Sequence, residues 1–107
     1  MRIYIAGRIN GSNNYERQFE NAEMWLRLRG YKVVNPVKVR KSLSEDLTDE
    51  EFIGVELTLL GVCDEIFMLN GWQDSKECCL MLDTAKATGK TPRYQGYYKG
   101  GRDGEYL

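Results

Sequence analysis

The sequence predicts an α/β fold built on a short parallel sheet of about four strands, with helices on both faces. Three observations carry this. Short apolar runs alternate along the chain with helix-compatible stretches, in the order strand, helix, strand, helix, strand, helix, strand, and that alternation calls for parallel pairing through crossover connections. The strand runs are apolar on successive residues, as in a sheet covered on both sides. The helical stretches close on Gly30, Gly61 and Gly89, the residue type that most readily leaves a helix in the left-handed conformation.

Arg2–Ala6 reads as the first strand and Gly7–Asn14 as a polar, glycine-punctuated loop. From Tyr15 to Arg29 the pattern is helical, with Tyr15, Phe19, Ala22 and Leu26 on one face. Tyr31–Val34 is the second strand, closed by Asn35-Pro36, because the residue before a proline avoids helical backbone. Val37–Leu47 is basic, then acidic, without a clear period, and reads as a loop with room for a helical turn. Thr48 and Glu51 form a capping box that opens a second helix, with Phe52, Val55, Leu59 and Val62 as its buried face and Glu56 on its exposed one. Asp64 precedes the third strand, Glu65–Leu69. Asp74 or Ser75 caps the third helix, Glu77 completing a box if Asp74 is the cap, and Thr91–Tyr94 forms a short fourth strand. Residues 1–94 are thus the domain. Residues 95–107, with four glycines and three tyrosines, read as an arm: a mobile terminus, or one that packs its tyrosines on a neighbouring subunit.

A chain of 107 residues holds one core and little else. Its 42% hydrophobic and 29% charged residues are a globular balance. A formal net charge of -1 gives no general attraction to nucleic-acid polymers or acidic membranes. No apolar run approaches a membrane span, and Met1–Ala6 is too short for a signal peptide, which predicts a cytoplasmic protein. Cys63, Cys78 and Cys79 are odd in number and two are adjacent, so they suit a reducing compartment better than a disulfide framework. The chain has no histidine, which rules out a Ser-His-Asp or Cys-His arrangement and the usual zinc site. No metal or cofactor is expected, and acid–base work falls to a carboxylate, tyrosine, lysine or cysteine.

In parallel sheets ligands bind beyond the carboxyl ends of the strands, at the switch point. That rule selects the loops after strands one and three. In the first, Gly7, Arg8, Ile9, Asn10 and Gly11 do not match the dinucleotide pattern G-x-G-x-x-G; a simple turn and a ligand loop both remain open. In the second, Gly71, Trp72, Asp74 and Ser75 lead from a strand into a helix N-terminus, where free amides and the helix dipole favour an anion such as phosphate. Ser75 is an ordinary cap and, compatibly, a hydroxyl donor to that anion. Met81, Cys78 and Cys79 read most simply as core.

The segments Ile3–Ile9, Gly30–Pro36, Cys63–Leu69 and Gly71–Ser75, in this order and spacing, together resemble the nucleoside 2-deoxyribosyltransferase-like superfamily. The similarity is strongest to its short, often phage-borne members of undetermined function, and the 2′-deoxynucleoside 5′-monophosphate N-glycosidases belong to the same superfamily. The resemblance covers roughly residues 2–94. It implies a flavodoxin- or Rossmann-like three-layer sandwich with strand order 2-1-3-4, a homo-oligomer, and a nucleoside or nucleotide in the crevice. It also implies glycosidic chemistry: a glutamate attacks C1′ of the sugar, the base leaves, and another base or water takes up the sugar. An aspartate on the second helix supports the reaction, and a serine at the start of the third binds phosphate in the monophosphate hydrolases.

Carried onto this sequence, the serine is Ser75 and the supporting carboxylate is Glu56, one methylene longer than aspartate. The nucleophile position, six residues after Ser75 and eight before Gly89, is Met81. A thioether has no charge to stabilise an oxocarbenium-like transition state. Glu77 lies one turn earlier on nearly the same face, a displaced stand-in. Three readings follow. In the first, the protein binds a nucleotide without the family's glycosyl transfer. In the second, it is an active deoxyribosyltransferase or N-glycosidase using Glu77. In the third, it is an interaction module that has lost the crevice and presents Tyr94, Tyr97, Tyr98 and Tyr106.

Overall fold

The computed structural model describes residues 1–96. The elements are β1 (Arg2–Ala6), α1 (Tyr15–Leu28), β2 (Lys32–Val34), α2 (Pro36–Lys41), α3 (Asp49–Gly61), β3 (Glu65–Met68), a 3-10 turn (Trp72–Asp74), α4 (Lys76–Ala87) and β4 (Thr91–Tyr94). The strands form one parallel sheet in the order β2-β1-β3-β4. β1 is central, with Ile3 opposite Val33 on one side and Glu65 on the other. The arm expected over 95–107 lies outside the described residues from Tyr97 onward.

Side chains alternate across the two central strands and so build two cores. Ile3, Ile5, Phe67 and Leu69 pack with Phe19, Ala22 and Leu26 of α1 and Val37 of α2. Tyr4, Ala6, Ile66 and Met68 pack with Leu60 of α3 and Met81, Leu82 and Ala85 of α4. The result is three layers, α1 and α2 on one face, α3 and α4 on the other. Successive buried side chains therefore explain why these strands are apolar beyond their first residues, Arg2 and Glu65.

The helix starts are written locally. Thr48 Oγ1 accepts from Glu51 N at 3.1 Å while Glu51 Oε1 accepts from Thr48 N at 2.8 Å, the predicted box. Ser75, not Asp74, caps α4, its hydroxyl oxygen accepting from Cys78 N at 3.2 Å; Glu77 completes no box. Gly30 and Gly89 follow their helices at φ of 90° and 77°.

Two expectations are corrected. The segment read as a loop from Val37 opens with a helix, α2, because Asn35 Oδ1 accepts from Val37 N at 3.0 Å and Pro36 takes the first helical position, where its missing N–H costs nothing. The buried face of α3 is Phe52, Glu56 and Leu60, not Phe52, Val55, Leu59 and Val62; Val62 is 55% exposed. Apolar residues surround this helix on most sides, so its periodicity did not select the face. Glu56, put in solvent by periodicity and at the site by the resemblance, is buried.

Candidate functional site

A pocket of about 320 Å³ opens at the carboxyl ends of β1 and β3, where α1 and α4 leave toward opposite faces of the sheet. This is the switch-point crevice of a parallel sheet. Its lining includes Gly7, Arg8, Ile9 and Asn10 from the first loop, Asp74 and Ser75 from the second, Glu77 and Met81 from α4, and Glu56 from α3. Three residues expected there, Gly11, Gly71 and Trp72, do not line it. Gly11, at φ 83°, acts on the loop instead: a Cβ there would meet Arg8 Nη2 at 2.6 Å. Gly71 supplies a left-handed turn at φ 93° that sends the chain into the 3-10 turn. Trp72 is turned away to a separate cavity of about 420 Å³, shared with Met68, Asn70 and Tyr94.

The first loop is held close to the sheet. A Cβ on Gly7 would lie 2.7 Å from Leu69 Cδ1 and 2.9 Å from Phe19 Cζ, so only glycine lets the backbone pass there. Arg8 Nε donates to Asn10 O at 3.0 Å, and Arg8 Nη1 stands 3.9 Å from Asp74 Oδ2, linking the two loops. Lys76 occupies the first position of α4, exposed and lining the pocket. A cation is disfavoured there by the helix dipole. The amides of Lys76 and Glu77 have no acceptor within the helix, and Ser75, whose oxygen is used as the cap, retains its hydroxyl proton to donate.

The inner wall differs in character. Tyr4 is 1%, Met81 2% and Glu56 5% exposed. Burial pushes the Glu56 carboxyl up to about 7, and the Glu77 carboxylate adds to the rise. The Tyr4 hydroxyl and the Arg40 guanidinium only partly offset it. Burial and the adjacent Glu56 hold the Tyr4 hydroxyl well above its usual range. The two side chains face each other closely enough to act as a hydrogen-bonding pair, although the Tyr4 hydroxyl and Glu56 Oε1 stand outside ideal hydrogen-bond geometry. Burial also pushes the Cys78 thiol up to about 11, which leaves no thiolate for nucleophilic work. Among the described residues no group of three or more His, Cys, Asp or Glu could hold a metal ion.

Charge is divided along the pocket. Arg8, Lys76 and Asp74 are exposed or nearly so, while Glu56 is buried and Glu77 half-buried. An anion fits the outer end and polar, uncharged groups the inner one.

Residues 1–94 match the family described as Domain of unknown function (DUF4406). The chain belongs to that family. No curated protein matches this DUF4406 chain. A solved 2-deoxyribosyltransferase from the psychrotolerant bacterium Bacillus psychrosaccharolyticus, described as a biocatalyst for the synthesis of antiviral and antitumoral nucleosides, shares its fold with a TM-score of 0.71. The match covers 88% of this chain and 71% of that one at 19% identity. The DUF4406 chain thus has a nucleoside 2-deoxyribosyltransferase-like fold, with the sheet order that the sequence resemblance implied. No helix among the described residues is long and apolar enough to cross a membrane.

Sequence reasoning missed Tyr4, Ile5 and Ala6 of β1 as well as Phe19, Pro36, Lys76 and Cys78, which also line the pocket. Lys76 alone had a legible signal, a cation at the first position of a helix. Tyr4 sits in the buried run Ile3–Ala6, and nothing in such a run marks which side chain meets a cavity.

Proposed function

We propose that this protein binds a nucleoside or nucleotide in the pocket between the β1 and β3 loops, without the glycosyl transfer associated with its fold. The observation that carries the binding half is the outer end of the pocket. Arg8 and Lys76 line it beside the N-terminus of α4, where Ser75 has a hydroxyl proton to give. Free amides, a helix dipole and two cations suit a phosphate.

The catalytic half turns on Met81. It lines the pocket six residues into the chain beyond Ser75, at the position the family resemblance gives to a nucleophilic glutamate, and it carries no charge. The reading extends to the molecule as a whole: residues 1–94 act as the binding domain of a cytoplasmic homo-oligomer.

Calorimetry against deoxynucleotides, ribonucleotides and ADP-ribose-type molecules tests it. At least one class is expected to bind, with no free base released on prolonged incubation. A folded protein that binds none of them sinks the proposal. A second reading, catalysis by a displaced carboxylate, is favoured by one observation: Glu77 lines the pocket and lies near enough to raise the Glu56 pKa. Base release from deoxynucleotides that Glu77→Gln abolishes would establish it in place of the first.

The interaction-module reading fares less well. The crevice is open, and Tyr94 is half-buried against Trp72, ring centroids 6.0 Å apart. Tyr97, Tyr98 and Tyr106 lie outside the described residues.

A further inference from the structure

The strand ends carry a second concavity, between β3 and β4. A cavity of about 420 Å³ is lined there by Met68, Asn70, Trp72, Gln73, Tyr94 and Gln95, and it shares no lining residue with the crevice. The 3-10 turn divides the two, giving Asp74 to the crevice and Trp72 and Gln73 to the cavity. Its volume is that of a small-molecule site.

The two linings are chemically opposite. Five charged side chains line the crevice, and none of these six residues is charged, in a chain with 29% charged residues. Trp72 and Tyr94 are half-buried and stand with ring centroids 6.0 Å apart and planes tilted by 39°, an aromatic wall beside the buried Met68. Three primary amides complete the lining. Asn70 and Gln73 form hydrogen bonds through their backbone alone: Asn70 O accepts from Gln18 Nε2, Asn70 N donates to Gln95 Oε1, and Gln73 O accepts from the Cys79 thiol. Among the described residues, the side-chain amides of Asn70 and Gln73 keep their donors and acceptors for a group that enters.

That chemistry selects. An anion or an ammonium would lose hydration here without a countercharge. A flat ring gains by stacking on indole and phenol rings. A primary amide presents a donor beside an acceptor, the complement of another amide-like edge. A plain hydrocarbon would strip water from the amides and replace none of its hydrogen bonds.

We propose that this cavity is a second binding site, for an uncharged aromatic ring bearing a carboxamide or lactam edge, with Trp72 as the stacking surface and Gln73 reading the edge. It is independent of the nucleotide-binding reading of the crevice.

The test follows the indole N–H signals of the whole chain by heteronuclear NMR during titration with nicotinamide, cytosine, nicotinate and glucose. The chain has 2 tryptophans, and Trp72→Phe assigns the signal of Trp72. Nicotinamide or cytosine is expected to shift that signal saturably, with a Kd below about 1 mM. Nicotinate, the same ring with a carboxylate, is expected to bind at least about tenfold more weakly. Gln73→Leu, at an exposed position, is expected to weaken the neutral ring about tenfold, and Gln73→Ala reads the same loss should leucine prevent folding. No saturable shift of Trp72 with either neutral ring overturns the proposal. So does a shift confined to the Arg8 loop and Ser75, which would put the ring in the crevice. Equal binding of nicotinate, tighter binding of glucose, or an unchanged affinity in the Gln73 variant overturns the assigned chemistry.

Discussion

Glu23 and Glu56 are both carboxylates on helices, both buried, on opposite faces of one sheet, and their surroundings could hardly differ more. Glu23 on α1 accepts from Arg27 Nε at 2.8 Å and Asn35 Nδ2 at 3.1 Å and pairs with Lys38 Nζ at 3.0 Å. Burial opposes its ionisation, but the hydrogen bonds from Asn35, Arg27 and Lys38 hold its carboxyl below the usual range. Glu56 on α3 has burial and a neighbouring carboxylate pushing its pKa up and an oxygen without a partner. The first is architecture: it ties α1 to Asn35, the residue that caps α2, and so fixes the end of β2 against its neighbours. The second detracts from the stability of the free protein, and it lines the pocket. A buried carboxylate with all its partners reports on folding; one without them reports on what the fold is for.

The comparison is most directly broken at Glu56. The folded protein holds its proton up to about pH 7, against 4.5 for the free group. Over that window the native state binds more protons than the unfolded chain, so this residue lowers stability as pH rises, by about 3 kcal/mol in total. Urea unfolding of Glu56→Gln across pH is expected to remove this slope and to leave the variant more stable than wild type at pH 8. A parallel pH profile in the two proteins would show that Glu56 is satisfied after all.

Glu23 has the opposite sign. Its depressed pKa contributes stability above the unfolded value that is lost as pH falls through the folded one. Glu23→Ala is expected to cost about 2 kcal/mol at neutral pH, measured by the same unfolding curves, with the cost shrinking in acid. A third, smaller effect sharpens the contrast between architecture and site. Ser75→Ala removes the cap of α4 and should cost about 1 kcal/mol, while also weakening any phosphate-bearing ligand that calorimetry identifies. A loss of stability without a loss of affinity would leave Ser75 on the architectural side with Glu23.

The parallel sheet was legible because β1 and β3 are apolar on successive residues, the mark of strands covered on both faces, and because Thr48, Gly30 and Gly89 punctuate the helices; its strand order came from the family resemblance. Asn35-Pro36 was ambiguous: the same pair that ends a strand also caps and begins a helix, and the capping role prevailed. At the site, Ser75 and the Arg8 loop were legible from position alone, and Met81 only through the spacing that the family resemblance supplied. Periodicity put Glu56 in solvent, because α3 is apolar on most sides and its inward face cannot be read that way; only the resemblance brought it to the site. Tyr4 was hidden for a related reason. From Ile3 to Ala6 every side chain of the central strand is buried, and only three-dimensional packing decides which one ends at a cavity.

The contact between Arg8 and Asp74 has a consequence for how the pocket handles salt. At 3.9 Å, with side chains 40% and 73% exposed, it is worth little in water, yet it fills the cation's vicinity with an acidic group already tethered in place. Any anion arriving at Arg8 enters as a replacement for Asp74. A singly charged ion such as chloride gains almost nothing by that exchange, whereas a phosphate, with more charge and more acceptor oxygens, can also engage Lys76 and the Ser75 hydroxyl. On the proposed phosphate-binding reading, the neighbouring carboxylate works as a filter, weakening the pull on singly charged ions more than the pull on phosphate.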